Sequence, residues 1–453
     1  MFMKRQLSVI MLLVMTSLQA QSATNITNKA LRDIEGKLPD IPVVDKGLKD
    51  IEQRLPRIPS EALQQINKDI TQLDNSVKDS LDPLAALDSR IEIKSQLGET
   101  ILVEESVENG WRAVEREWVL IASESDITIL KELNFDILSY KELKNIGMSV
   151  VRFKTPVGYS KANLEQKLPN RLRAQLGRNH IYEANSEEKP KQPTALKSSR
   201  MNKVEKNACT ESMKIGMIDT AIDESHSAFA DVDIRQKYFL VDDFETPKNH
   251  GTAVAGLLIG KGELLPLLPE AELYAASVFY KRNKYSQGAT LIHLLQAINW
   301  LVEQQVPVIN MSLTGPPNPV LEQAIKGASK NNTVIVAAAG NEGPAASPRF
   351  PAAYNQVIAV TAVDNEKIVY RWANQGDYID FSALGVAIKT ARSDKSFGAE
   401  SGTSMASPIV AAHFACQLQK ANSQDLAIEQ LKKRAVDLGE SGKDPVFGYG
   451  FIE

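Results

Sequence analysis

The segment Ser401-Gly402-Thr403-Ser404-Met405-Ala406-Ser407-Pro408 constrains this chain more than any other. It is a turn of small residues that runs into a largely apolar stretch, Ile409 to Ala415, which reads as a buried helix. Pro408 is tolerated in the first turn of such a helix, and Gly402 allows close backbone approach. Ser404 therefore falls at a helix N-terminus, where free N–H groups and the helix dipole favour negative charge. That placement suits a nucleophile whose attack creates an oxyanion. By itself, Gly-x-Ser is a common turn composition and carries little.

Two upstream segments change its weight. Lys214 to Asp219 is an apolar strand ending in an aspartate, followed by Thr220-Ala221-Ile222-Asp223. Strand ends are where α/β sheets expose functional side chains. Asn249-His250-Gly251-Thr252-Ala253-Val254-Ala255-Gly256 places a histidine at the start of a helix of small residues. Each residue has a plainer reading. An aspartate at a strand end usually caps a turn, and a lone histidine is usually structural. The chain has five histidines, of which His226 reads as a loop residue and only His250 lies in a His-Gly-Thr setting. The order Asp, His, Ser is one of three known chain orders of the serine triad.

With that order, the three segments resemble those of the subtilases, the subtilisin-like serine proteases. Val308-Ile309-Asn310-Met311-Ser312-Leu313 resembles the strand lining the family's cleft, and Ala337 to Gly343 its oxyanion segment. Phe350 to Tyr354 and Val357 to Val360 resemble the stretch beyond it. The resemblance runs from about Met213 to the C-terminus. It implies an α/β fold, a subtilisin-like catalytic domain (residues 208–453) with a mostly parallel sheet between helices. It also implies roles: Ser404 as nucleophile, His250 as general base, Asp219 as its orienter, and Asn341 with the Ser404 N–H as oxyanion donors. Gln287, Gly288 and Ala289 would form one rim of the cleft, and Ser312, Leu313 and Thr314 the other. Leu291 and Leu294 would line an apolar subsite, and Ala339 and Gly340 a wall of the main specificity pocket. Thr314 stands where familiar members have glycine and should narrow that pocket. Glu342 either lies near the pocket, favouring a basic or polar residue, or is a solvated carboxylate. The connection from His250 to Leu273 lacks the Asn-rich loop that holds calcium in many bacterial members, so neither a metal nor another cofactor is expected.

The remaining half of the chain reads as an address and a restraint. Lys4 and Arg5 precede an apolar run from Leu7 to Leu18 and the small residues around Ala20, the pattern of a signal peptide over 1–20. Export, to the periplasm or the medium, follows from it. Residues 24–90 read as a helical N-terminal region with a short repeat, Leu31 to Pro42 and Leu48 to Pro59. In it, Leu63, Ile66, Ile70, Leu73, Val77 and Leu81 form a seam within residues 60–81 for self-association or for packing on the same chain. Residues 111–185 give the order βαββαβ, which suits a small α+β, ferredoxin-like domain. Its position resembles that of the family's inhibitory propeptides, making the chain's own prodomain an expected partner beside a peptide or protein substrate. Residues 186–207, rich in Lys, Glu, Ser and Pro, read as an exposed linker suited to a cut. The net charge of −4 and the absence of a basic, aromatic-interleaved patch give no sign of a nucleic-acid partner.

Two cysteines occur, Cys209 and Cys416. Cys209 precedes the Asp219 strand, and Cys416 lies ~18 Å down the Ser404 helix at 1.5 Å per residue. Strand end and helix start both face the expected site, so strand start and helix end should both lie opposite it. A disulfide and two separately buried thiols remain open.

Overall fold

The computed structural model describes residues 88–453 except 96, 185–206, 241–243, 284–285 and 422. The expected signal peptide, the seam at 60–81, nearly all of the helical region and the linker up to residue 206 lie outside the described residues.

The described chain opens on a hairpin, β1 (Arg90–Lys94) and β2 (Thr100–Ser106). Arg90, assigned above to the helical region, is the first residue of a strand. Alternation of Ile91 and Ile93 with charged residues is the period of a half-buried strand and carried the signal. The βαββαβ unit follows, as β3 (Arg112–Ile121), α1 (Asp126–Glu132), β4 (Asp136–Leu143), β5 (Met148–Lys154), α2 (Lys161–Lys167), trailed by the single-turn α3 (Asn170–Arg173), and β6 (Leu176–Ala184). Its strands pair antiparallel in the order β6-β3-β5-β4, the ferredoxin-like arrangement, and β2 adds to β3. Ser160 and Asn163 form a capping box that fixes the start of α2. Trp118 and Leu120 point to one face of the sheet, packing with Leu130 of α1 and Leu164 of α2. Val119, between them, is equally buried and points to the other face.

That other face is covered by the second half of the chain. There, an eight-stranded sheet has the order β19-β16-β15-β14-β12-β7-β9-β8, and every pairing is parallel. Its strands are β7 (Met213–Asp219), β8 (Asp233–Tyr238), β9 (Ala271–Ser277), β12 (Val308–Met311), β14 (Val334–Ala338), β15 (Val357–Val363), β16 (Phe381–Leu384) and β19 (Phe451–Ile452). A parallel sheet needs both faces covered, which explains strands such as Val334-Ile335-Val336-Ala337 that are apolar at every position. Val334 and Val336 face α4 (Asn249–Ile259) and α7 (Thr403–Lys420), whereas Ile335 and Ala337 face α5 (Leu291–Glu303) and α6 (Pro319–Lys330). Asn318 caps α6 by accepting from the Val320 N–H, with Pro319 in the first turn. Short strands β10 (Tyr280–Lys281), β11 (Gln287–Thr290) and β13 (Leu313–Thr314) lie outside this sheet, as does the hairpin β17 (Ile388–Ala391) and β18 (Phe397–Glu400).

The outer layer formed by α5 and α6 receives the N-terminal unit. Val119, Leu143, Ile146 and Val150 join one buried cluster with Leu295, Ile298, Leu321 and Ile325. The Asn145 N–H donates to Asn299 Oδ1 at 3.0 Å, and Lys141 Nζ to Gln296 Oε1 at 3.0 Å. A Cβ at Gly327 would stand 2.1 Å from the Ile146 carbonyl oxygen, so only glycine admits this approach. No helix among the described residues is long and apolar enough to cross a membrane.

Cys209 and Cys416 are bridged, with Cα atoms 6.0 Å apart and a sequence separation of 207. Cys416 is buried in the α4–α7 core, and the bond ties the approach to β7 to the far half of α7. Replacing both cysteines by alanine should lower the urea midpoint of unfolding, corresponding to a loss of about 2–4 kcal/mol. Equal midpoints for the wild type and the double variant, both under oxidising conditions, would contradict a stabilising bridge.

Candidate active site

Strands β7, β12 and β14 are neighbours, and the chain builds outward from β7 toward β9 on one side and from β12 toward β14 on the other. The crevice at such a switch point, outside the carboxyl ends of the strands, is where open parallel sheets bind ligands. Asp219 is the last residue of β7, Ser312 follows β12, and Asn341 follows β14 by three residues. His250 and Ser404 are the second residues of α4 and α7.

Asp219 and His250 are held together by a dense local net. Asp219 Oδ1 accepts from the Thr220 N–H and lies 2.7 Å from His250 Nδ1. The Thr220 hydroxyl oxygen accepts from the Gly251 N–H at 2.7 Å, which pins the first turn of α4 to the end of β7. A Cβ at Gly251 would fall 2.3 Å from the Thr220 carbonyl oxygen, so a larger residue would push His250 off the aspartate. Both side chains are buried. With Nδ1–H donating to Asp219, the neutral ring carries its lone pair on Nε2, which is buried without a hydrogen-bond partner. Burial alone would push the His250 imidazole below 6.5, but the charge of Asp219, the hydrogen bond to it and the charge of Glu400 together hold it above that value.

Ser404 and Asn341 are positioned from the other side of the crevice. The Ser312 hydroxyl donates to the Ser404 carbonyl at 3.0 Å and accepts from Asn310 Nδ2 at 2.9 Å. Asn310 Oδ1 in turn accepts from the Ser407 hydroxyl at 2.7 Å, so α7 is fastened to β12 by a buried polar chain. Asn341 Oδ1 accepts from the Thr403 N–H and hydroxyl, at 3.0 and 3.1 Å. That fixes the amide so that Nδ2 is a buried donor without a partner, like the Ser404 hydroxyl. The site thus holds an unpaired hydroxyl, an unpaired ring nitrogen and an unpaired amide donor. Buried polar groups are ordinarily satisfied, so this concentration marks a place arranged for chemistry. Thr403 and Asn310 orient the site yet were missed from sequence, because their roles depend on contacts 62 and 97 residues away.

The expected rims are both occupied by the chain's own β6. Tyr182 pairs antiparallel with Ala289 and Ile181 with Thr290, while Ala184 pairs with Leu313 and Glu183 with Thr314. Gln287 and Gly288 continue the first rim into β10. Tyr182 is fully buried, donates to the Pro316 carbonyl at 3.1 Å, and packs so close to Gly315 that a Cβ there would be 2.3 Å from its ring. Leu291 and Leu294 are fully buried in the cluster that contains Tyr182. Ala339 is buried, and Gly340, at φ 113°, donates its N–H to Thr403 Oγ1. Thr314 Oγ1 lies 3.5 Å from Glu342 Oε1, and Glu342 Oε2 lies 3.4 Å from Arg349 Nε. Glu342 is thus exposed and already faced by a guanidinium. His226 lies in a loop, as expected. It is buried, with Nδ1 accepting from the Ala228 N–H and Nε2 3.0 Å from the Ser396 carbonyl.

The chain is 32% identical over 252 residues to the minor extracellular protease Epr of Bacillus subtilis, which covers 54% of this chain and 38% of that protein. It is 34% identical over 249 residues to the major intracellular serine protease of Bacillus subtilis, covering 50% of this chain and 77% of that one. Subtilisin DY of Bacillus licheniformis is 34% identical over 241 residues, covering 51% and 85%. In fold, the chain is similar to the crystal structure of the epidermin leader peptide processing serine protease of Staphylococcus aureus. The TM-score is 0.57 at 18% identity, over 74% of this chain and 97% of that one. The subtilase family model matches residues 210–450, and the chain belongs to that family.

Proposed function

We propose that the protein is an exported serine endopeptidase made as a self-restrained precursor. One observation carries the reading: an extended strand of the chain itself lies between both rims of the crevice that holds Asp219, His250, Ser404 and Asn341. A groove that pairs with one extended strand can pair with another, so the substrate is an extended peptide segment.

The chemistry follows from the groups at hand. Ser404 Oγ attacks the scissile carbonyl while His250 Nε2 takes its proton. Asp219 stabilises the imidazolium and keeps Nδ1 protonated. Asn341 Nδ2 and the Ser404 N–H donate to the oxyanion as it forms. His250 then protonates the leaving amine, an acyl-enzyme remains, and water releases it by the reverse transfers. In the precursor, residues 111–185 act as an intramolecular inhibitor, with β6 as a product-like strand, and the segment 186–207 carries the cut. Export is supported by the Cys209–Cys416 bridge, since disulfides persist in oxidising compartments. The charged-then-apolar sequence at residues 4–18 supports it further.

Ser404→Ala should abolish hydrolysis of a fluorogenic peptide and labelling by a fluorophosphonate, and the purified chain should stay full length. A variant that still hydrolyses peptide would refute the assignment of the nucleophile.

Because His250 must be neutral to act as a base and its pKa is raised, activity should be low in acid. The value of kcat/KM should rise with pH through an apparent pKa above 6.5. Asp219→Asn removes the charge that opposes burial, so its acid limb should move downward, with turnover reduced about 10⁴-fold. A pH–rate profile of the two proteins checks both statements. An acid limb that does not move would assign it to another group.

The hairpin β1–β2 reaches the catalytic half as well, through Ile93 packed with Phe244 and Tyr280. A fragment of residues 88–185 should therefore inhibit the matured enzyme more tightly than one of residues 111–185, by more than about tenfold. Equal inhibition constants would leave the hairpin without a part in the restraint.

A further inference from the structure

Arg282 lies in the turn between β10 and β11, at one rim of the crevice, and its side chain is fully buried. Its guanidinium lies across the rim strand: a Cβ at Gly288 would be 2.9 Å from Arg282 Nε, so the glycine provides its seat. Nη1 donates to Glu183 Oε1 at 2.7 Å, and Nε to Glu104 Oε1 at 2.7 Å. Glu104 is also fully buried and takes further hydrogen bonds from Tyr280 at 2.7 Å and Arg112 at 2.9 Å. Nη2 is buried without a partner.

The bookkeeping of charge across the cut is uneven. Among the described residues, the ion-pair partners of Arg282 are Glu104 of β2 and Glu183 of β6, both on the amino side of segment 186–207. Arg282 itself lies within the family-matched residues 210–450. Separating the two halves removes both carboxylates and leaves the guanidinium at the rim. An arginine that loses both partner carboxylates keeps a charge and donors that a new carboxylate can satisfy, so an incoming carboxylate at the same place is favoured. Register fixes which substrate residue would supply it. Glu183 sits opposite Thr314, and Ala184 opposite Leu313. In a peptide bound the same way, the next residue would face Ser312, whose hydroxyl holds the Ser404 carbonyl. The carboxylate then belongs to the third residue on the amino side of the cut bond, directly after the residue that takes the place of Tyr182.

Resting on the peptidase reading, we propose that Arg282 is a specificity-determining residue that selects peptides with glutamate or aspartate at this position. Glu183 would be the chain's own copy of that substrate feature.

The test uses the full chain, expressed and allowed to mature, with active sites counted by fluorophosphonate labelling. Three internally quenched peptides are compared, Ile-Tyr-Glu-Ala-Asn-Ser and the same sequence with Gln or Lys in place of Glu. The expected kcat/KM ratio of Glu to Gln is about tenfold, and of Glu to Lys larger, as for one charge-assisted hydrogen bond. Raising the salt concentration should shrink both ratios. Arg282→Gln should bring the Glu-to-Gln ratio to about one, and Arg282→Glu should favour the Lys peptide. Wild-type ratios within about twofold, a preference that survives in Arg282→Gln, or a labelled enzyme that cuts none of the peptides would each overturn the inference. Since the wild-type comparison needs no variant, a misfolded Arg282 protein does not rescue it. Absence of labelling in the matured wild type would instead sink the peptidase reading itself.

Discussion

Everything at the site depends on β7 and β12 lying side by side and parallel. Their carboxyl ends bring Asp219 and Ser312 to one crevice, although 93 positions separate the two numbers, and β14 adds Asn341 beside them. Helices then enter the crevice by their amino ends, which carry His250 and Ser404. Helix N-termini supply free N–H donors and a favourable dipole where an oxyanion would form. The parallel sheet achieves this only because α4 and α7 cover one face and α5 and α6 the other.

Strand β6 belongs to two structures at once. Its first residues complete the antiparallel sheet of the N-terminal unit, and its last four lie between the rims of the crevice. The unit is also anchored elsewhere, by Val119, Leu143, Ile146 and Val150 on α5 and α6, so the strand is held in place by more than its own pairing. This division explains why β3 is apolar at consecutive positions: Trp118 and Leu120 serve the unit's own core, and Val119 serves the interface. A fragment freed from the catalytic half would expose that second face.

The cluster of Glu104, Arg282, Glu183, Arg112 and Tyr280 joins three segments that are remote in sequence. Burying these charges is expensive, and only their dense mutual hydrogen bonding offsets the loss of water. Such an arrangement stabilises one geometry and penalises any partial separation. It therefore defines the position of β6 against β11 more sharply than apolar contacts alone would.

Much of the site was legible in the linear chain, because its parts lie in short segments with demanding local chemistry. A serine in a run of small residues, a histidine before a glycine and an aspartate at a strand end each need particular neighbours, and those neighbours are adjacent in sequence. The βαββαβ order was legible for the same reason, since strand and helix periods are local. The two cysteines left bridging undecided; their bond depends on where β7 begins relative to the far half of α7. The orientation of Asn341 by Thr403, the pairing of Glu342 with Arg349, the burial of His226 and the whole of the Arg282 cluster had no local signature. Each depends on distances between residues far apart in the chain. Sequence thus marked out which residues would gather at the crevice and which segments would be strands and helices. Tertiary structure alone decided what each charge faces, because a charge's partner is set by packing across the fold rather than by its neighbours along the chain.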